Sequence, residues 1–229
     1  DGIEDITDYF GSAPDMGAFE YCAGGEYIDD CGICEGDNST CTGCTDSDAL
    51  NYDEENIFED GSCLYAIEQD VWVSTTGDDS LNTGLDADSP FKTLTNALWR
   101  IAQSEGSPYT VHILEGVYSP SITGELFPIN TKSHVNISGS GEGVTIIDAE
   151  GTHRVLNIIE NESISISDLT LTGGFANIED EENDRGGGIY MSESSPVLTN
   201  LSIIENMADD DGGGMFLINS NPTMTNMRI

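Results

Sequence analysis

The chain has 229 residues and carries 43 acidic side chains against 6 basic ones, a formal net charge of −37. A surface this negative repels nucleic acid and anionic lipid, so both are poor partners. No run approaches the ~20 apolar residues of a membrane span, and no signal peptide is visible. Two readings of the surplus acid stand together: solvation in salty surroundings, and relief of self-repulsion by bound divalent cations.

The chain opens on Asp1 rather than a methionine and reads as a mature or excised piece of something longer. Residues 1–21 carry Ile3, Ile6, Phe10, Met16 and Phe19, too few apolar side chains to bury a core alone. All six cysteines follow between 22 and 66: Cys22, Cys31, Cys34, Cys41, Cys44 and Cys63, among Gly and Asp and little apolar content. That usage fits disulfides in an oxidising, extracytoplasmic compartment. Zinc thiolates at Cys31-x-x-Cys34 and Cys41-x-x-Cys44 are the competing reading. No histidine lies nearby, and twelve carboxylates with no cation in this segment raise thiol pKa values and disfavour the thiolate.

The acids themselves have a spacing. Asp46, Asp48, Asn51, Asp53, Asn56 and Asp60 place oxygen ligands every two to four residues, and Asp29, Asp30 and Asp37 offer a second set. Calcium takes six to eight oxygens in irregular geometry, which suits such a set. The loop is no EF-hand, because Gly and Glu do not fall at the required positions. A solvated acidic linker is the bland alternative. Calcium is the stronger expectation, because uncompensated carboxylates crowded into a crosslinked loop repel one another.

Residues 89–106, SPFKTLTNALWRIAQSEG, predict a helix with Ser89 as N-cap, Pro90 in the first turn and Gly106 as terminator. Phe91, Leu94, Leu98, Ile101 and Ala102 form its apolar face. Beyond it, short β-branched runs such as VNISGS, VTIID, VLNII and SISISDLTLT alternate between Gly, Asn and Asp. Then GGGIYMSESSPVLTNLSI (186–203) recurs as GGGMFLINSNPTMTNMRI (212–229), a spacing of 26 residues. A looser copy precedes them, with ISDLTLTGG (166–174) in the place of LTNLSIIEN and IEDEEND (178–184) lengthening one loop. Such a period marks stacked repeats, and three short strands per turn stacked at ~4.8 Å make a parallel β-helix. Asn200 and Asn226 then fall above one another at one bend, where Asn tolerates a left-handed backbone. A capping helix is expected over the first coil, since a solenoid end exposes edges and core. At the far end, residues 223–229 should leave an open edge with Met224, Met227 and Ile229 exposed.

Chemistry on the coils is sparse. Lys132, Arg154, Arg185 and Arg228 are scattered, and an anionic polysaccharide would meet an anionic surface. Asp209, Asp210 and Asp211 suggest a catalytic acid cluster, but they sit in the loop that matches the acidic EDEENDR before the previous GGG, and repeated loop acids read as a solvated edge. His112, His134 and His153 lack partners at ligand spacing. Asn38, Asn136, Asn161 and Asn200 head N-x-Ser/Thr sequons.

The order VWVSTTGDDSLNTGLDADSPFKTLTNAL, TVHILEGVYS and GGGI with SSP–LTN resembles the start of right-handed β-helix domains of the pectin-lyase-like superfamily, and more narrowly those of long secreted bacterial surface proteins. GSAPDMGAFEY (11–21) is similar to the closing segment of such a domain. YIDDCGICEGDNSTC resembles a cysteine-rich element of extracellular proteins. GCTDSDALNYDEENIFEDGSCLY resembles the Asp-rich, cysteine-closed calcium repeats of the thrombospondin type 3 kind, and as both ends of that one motif Cys44 and Cys63 are the favoured pair. The resemblance implies an all-β fold: a right-handed parallel β-helix with an N-terminal capping helix, preceded by a disulfide-rich irregular linker. Residues 1–21 are then the end of one β-helix, 22–66 a calcium-binding linker and 67–229 the start of the next. The expected role is structural or adhesive, in an extracellular surface protein or filament stiffened by Ca2+ and disulfides, with neighbouring repeats or copies of itself end to end as partners and carbohydrate or the cell surface as a further target. The alternative is a polysaccharide lyase or hydrolase with its catalytic coils outside this piece.

Overall fold

The structure, a computed structural model, describes residues 28–177 and 184–229. Residues 1–21 with the DMGAFEY stretch, Cys22 and most of the IEDEEND loop lie outside the described residues. The chain divides into a first unit ending at Tyr65 and a second from Ala66 to Ile229.

In the first unit, disulfides take the place of a core. Cys31 pairs with Cys41 and Cys44 with Cys63, and Cys34 is also disulfide-bonded. The only strands described here are the two-residue β1 (Thr42–Gly43) and β2 (Phe58–Glu59), paired in parallel. Cys41, Cys44, Ala49 and Asp29 are buried, whereas Ile33, Tyr52, Ile57, Phe58 and Tyr65 remain exposed. A segment that buries so little apolar surface depends on covalent crosslinks.

The second unit is a parallel β-helix. Its strands are β3 (Val71–Val73), β4 (Tyr109–Ile113), β5 (Gly116–Tyr118), β6 (Ile129–Asn130), β7 (Val135–Ser138), β8 (Thr145–Asp148), β9 (Leu156–Ile159) and β10 (Ser165–Thr172). They continue as β11 (Phe175–Ala176), β12 (Ile189–Ser192), β13 (Val197–Ile203), β14 (Met207–Ala208), β15 (Met215–Ile218) and β16 (Thr223–Arg228). One sheet runs β16-β13-β10-β7-β4-β3, a second β15-β12-β9-β6, and a third face pairs β5, β8 and the second half of β10. All pairs between these strands are parallel, and the register stacks like on like: Val111, Ile137, Ile166 and Leu198 form one inward column, Leu169 and Leu201 part of another. Alternation gives each strand one buried face, and stacking coils at one register joins those faces into a continuous aliphatic core.

The repeated residues have separate causes. Asp168, Asn200 and Asn226 sit at the bend within β10, β13 and β16 with φ of 61, 54 and 51°. There Asn200 Nδ2 donates to Asp168 Oδ1 at 2.7 Å and Asn226 Nδ2 to Asn200 Oδ1 at 2.9 Å. The GGG triplets lie where neighbouring coils touch: a Cβ at Gly187 would stand 1.9 Å from the Met207 carbonyl oxygen. Asn200→Ala removes both rungs and places alanine in a left-handed bend, and should cost about 1–3 kcal/mol in urea unfolding. Asn200→Gly, which loses the same rungs but keeps the backbone angle, should cost less; equal losses would make the left-handed angle irrelevant and leave the rungs as the whole cost.

The helix is shorter than the sequence predicts. α1 spans Leu94–Arg100, with Thr93 as N-cap, its hydroxyl accepting from Asn96 N at 3.1 Å. Ser89 to Lys92 do not join it, because Phe91 is used as strand: its N–H donates to Trp72 O and its carbonyl accepts from Ser74 N, both at 2.9 Å. At the other end Ile101 turns extended and bridges to Ile67. Asp79 accepts from the Lys92 and Thr93 amides, and buried Glu125 from those of Leu94 and Thr95 at 2.7 and 2.9 Å. Burial pushes the Glu125 carboxyl up, while the Thr95 and Leu94 donors pull it down. Leu94, Ala97 and Leu98 of α1 close the core beside β3 and β4, and Phe91 and Gly84 cover the edge of β3. At the opposite edge β15 and β16 pair on one side only. Met224 is 48% and Ile229 67% exposed there, while Met227 packs partly against the core.

Candidate functional site

The acid-rich first unit is the candidate cation site. Its predicted ligands are largely engaged in local turns. Asp37, Asp46, Asp53 and Asp60 each accept a backbone N–H from two residues on, at 2.9–3.1 Å. This turn habit explains their spacing as well as ligation does. Hydrogen bonds from the Ser39 and Ser62 side chains hold the Asp37 and Asp60 carboxyls below their usual range, and the Tyr65 hydroxyl at 2.6 Å does so for Asp46. Asp48 is exposed beside them.

The remaining predicted ligands pin the chain to itself. Asn51 donates to Ser62 O and accepts from Leu64 N, at 2.8 and 2.7 Å, and Asn56 Nδ2 donates to Cys44 O. Asp29 is buried and accepts from the amides of Cys31, Ile33 and Asn38, while Asp30 accepts from the Asn38 side chain. Glu59, which spacing did not single out among so many acids, accepts from Thr45 N, Thr45 Oγ1 and Gly61 N. Among the described residues, the one group of three His, Cys, Asp or Glu ligand atoms within 4.8 Å is Cys44, Glu59 and Cys63. Its sulfurs are spent in the disulfide, so it holds no thiolate. The predicted ligands thus fit calcium in charge and donor type, whereas their carboxylates do not converge on one point.

On the β-helix, Asp210 receives Arg185: Nη2 lies 2.6 Å and Nε 2.7 Å from Oδ2, with Asp211 3.9 Å away. The hydrogen bond from Arg185 to Asp210 holds the guanidinium pKa above its usual value, so this arginine is no base. It also lies over the Phe216 ring, and Arg154 over Tyr190, with the two rings stacked 5.9 Å apart. Lys132 donates to Ile101 O at 2.7 Å, and burial pulls its ammonium down. Arg228 closes β16 at the exposed edge. His134 and His153 lie in turns. His112 has a partner 42 positions away, Asp70 at 3.0 Å, and stacks on Trp72; no local spacing announces it. Of the sequon asparagines, Asn136, Asn161 and Asn200 spend their side chains on Ser165, Ile159 and Asp168, and Asn38 bonds Asp30.

The family described as protein of unknown function (DUF1565) matches residues 75–227. The chain belongs to the DUF1565 family. The matched range of this DUF1565 chain starts just after β3 and takes in α1 and the coils to within β16, and leaves out the cysteine-rich unit. Among solved structures, a crystal structure of a pectin methylesterase mutant in complex with a hexasaccharide is similar to it at 15% sequence identity and a TM-score of 0.45. That similarity covers 71% of the DUF1565 chain and 49% of the methylesterase, about half its length. No curated protein matches the chain.

Proposed function

We propose that this DUF1565 chain is a structural or adhesive segment of an extracellular surface protein or filament, joined end to end to neighbouring repeats. The observation that carries this reading is the stacking of like residues from coil to coil, in the Val111–Ile137–Ile166–Leu198 column and in the Asp168–Asn200–Asn226 rungs. Coils that repeat at one register rest only on their neighbours and share one core, which suits a stiff repeating element. Engagement of Arg185 with Asp210 and of Lys132 with Ile101 supports a structural role for the cations, and the disulfides fit an oxidising compartment. Calcium belongs to this reading as the ion that draws the side chains of Asp46, Asp48, Asp53 and Asp60 together and so stiffens the first unit.

Calorimetry and limited proteolysis with calcium or a chelator test this. Calcium should release heat on binding and slow cleavage within residues 28–65 by about tenfold or more. The chain should release no unsaturated or reducing ends from pectate or alginate. Protection that ignores calcium reduces the first unit to a charged spacer, and turnover abolished by Asp211→Asn would replace the structural reading with an enzymatic one.

A further inference from the structure

We infer that a pocket on the β-helix takes the side chain of a lysine or arginine from a basic polypeptide partner. The pocket has a volume of about 220 Å³ and is lined by Gly151, Gly173, Gly174, Phe175, Glu205 and Met207. Three successive coils contribute to it. Phe175 and Met207 are register partners of β11 and β14, so their side chains stand side by side.

The glycines of the lining pack closely against their neighbours. A Cβ at Gly173 would lie 2.1 Å from Asp148 Oδ1, and one at Gly174 2.0 Å from the Gly187 carbonyl oxygen. The turn at the rim is pinned as well. Asn206 Oδ1 accepts from Gly174 N at 2.8 Å, its Nδ2 donates to Leu171 O at 3.0 Å, and Met207 N donates to Gly174 O at 2.8 Å. Glu205, whose backbone φ is 56°, precedes this turn and is one of the residues that line the pocket.

The occupant follows from size and chemistry. The volume falls below the roughly 300–1,000 Å³ of small-molecule pockets and suits one side chain. Glycine backbone, a phenyl ring and an adaptable thioether bury an alkyl stem. The ring and the Glu205 carboxylate favour a cation at the end of that stem. A chain of net charge −37 repels anionic ligands and attracts basic ones. Arg185, tied to Asp210 and lying over Phe216, does not line the pocket and is not its occupant.

The test uses the whole chain with labelled methionine methyl groups and two N-acetylated tripeptide amides, Gly-Lys-Gly and Gly-norleucine-Gly, which differ only in the side-chain ammonium. The lysine peptide should shift the Met207 methyl saturably, and the norleucine peptide should bind about tenfold more weakly. Glu205→Gln, at an exposed position, should weaken the lysine peptide about fivefold and leave the norleucine peptide unchanged. Glu160→Gln, outside the pocket, should change neither. Equal binding of both peptides would make the pocket merely apolar and overturn the proposal. So would comparable shifts at Met191 and Met224, which mark diffuse attraction to an anionic surface, or a lysine affinity indifferent to Glu205→Gln, or no binding at all.

Discussion

Leu201→Ala should lower the unfolding free energy of the β-helix by about 2–5 kcal/mol. Leu201 is fully buried and lies in register between Leu169 on the coil before and Met227 on the coil after. Truncation removes contacts on both sides at once. The cavity cannot collapse, because main-chain hydrogen bonds and the Asp168–Asn200–Asn226 rungs fix the spacing of the coils. Val197→Ala on the same strand, at a side chain 46% exposed, should change stability by less than about 0.5 kcal/mol. Urea denaturation of the two variants distinguishes them. A Leu201→Ala loss under about 1 kcal/mol would mean that this coil is not packed as described.

Loss of the Cys44–Cys63 disulfide should destabilise the first unit by about 3 kcal/mol, the chain-entropy value for a loop of that size. The sequence separation is 19 residues, and the loop contains β2 and the turns of Asp46, Asp53 and Asp60. Little apolar burial exists there to offset the loss: Cys44 is itself among the few buried side chains, while Ile57 and Phe58 are exposed. The double variant Cys44→Ser, Cys63→Ser should therefore be cut rapidly within residues 45–62, while the β-helix keeps its urea midpoint. Unchanged protease resistance of that loop would show that its turns, and not the crosslink, hold it.

The repeat was legible in the chain because periodicity is local in sequence. GGG at 186 and 212, Asn200 and Asn226, and the alternating apolar positions of 197–203 and 223–228 each occupy equivalent places on adjacent coils. The Cys44–Cys63 pair was legible as the two ends of one motif. The helix bounds were not. Phe91 fits the apolar face of a helix and the edge of a sheet equally well, and the backbone groups of Trp72 and Ser74 decide for the sheet. The candidate site suffers more. Spacing identified Asp46, Asp53 and Asp60 as oxygen donors, but an acid that ligates and one that closes its own turn have the same spacing.

Composition and period thus determined a β-helix preceded by a crosslinked acidic segment, since stacking like residues at a fixed interval admits few other cores. Only the tertiary structure decided which acids are spent internally. Glu125 at the start of α1, Asp70 on His112 and Asp210 on Arg185 are each matched with a partner that is distant in sequence and near in space. It also decided that Gly151, Gly173 and Gly174 meet Phe175, Glu205 and Met207 around one pocket. The physical reason is that hydrogen bonds and cavities form between coils, across separations of some 20 to 40 residues that no local pattern records.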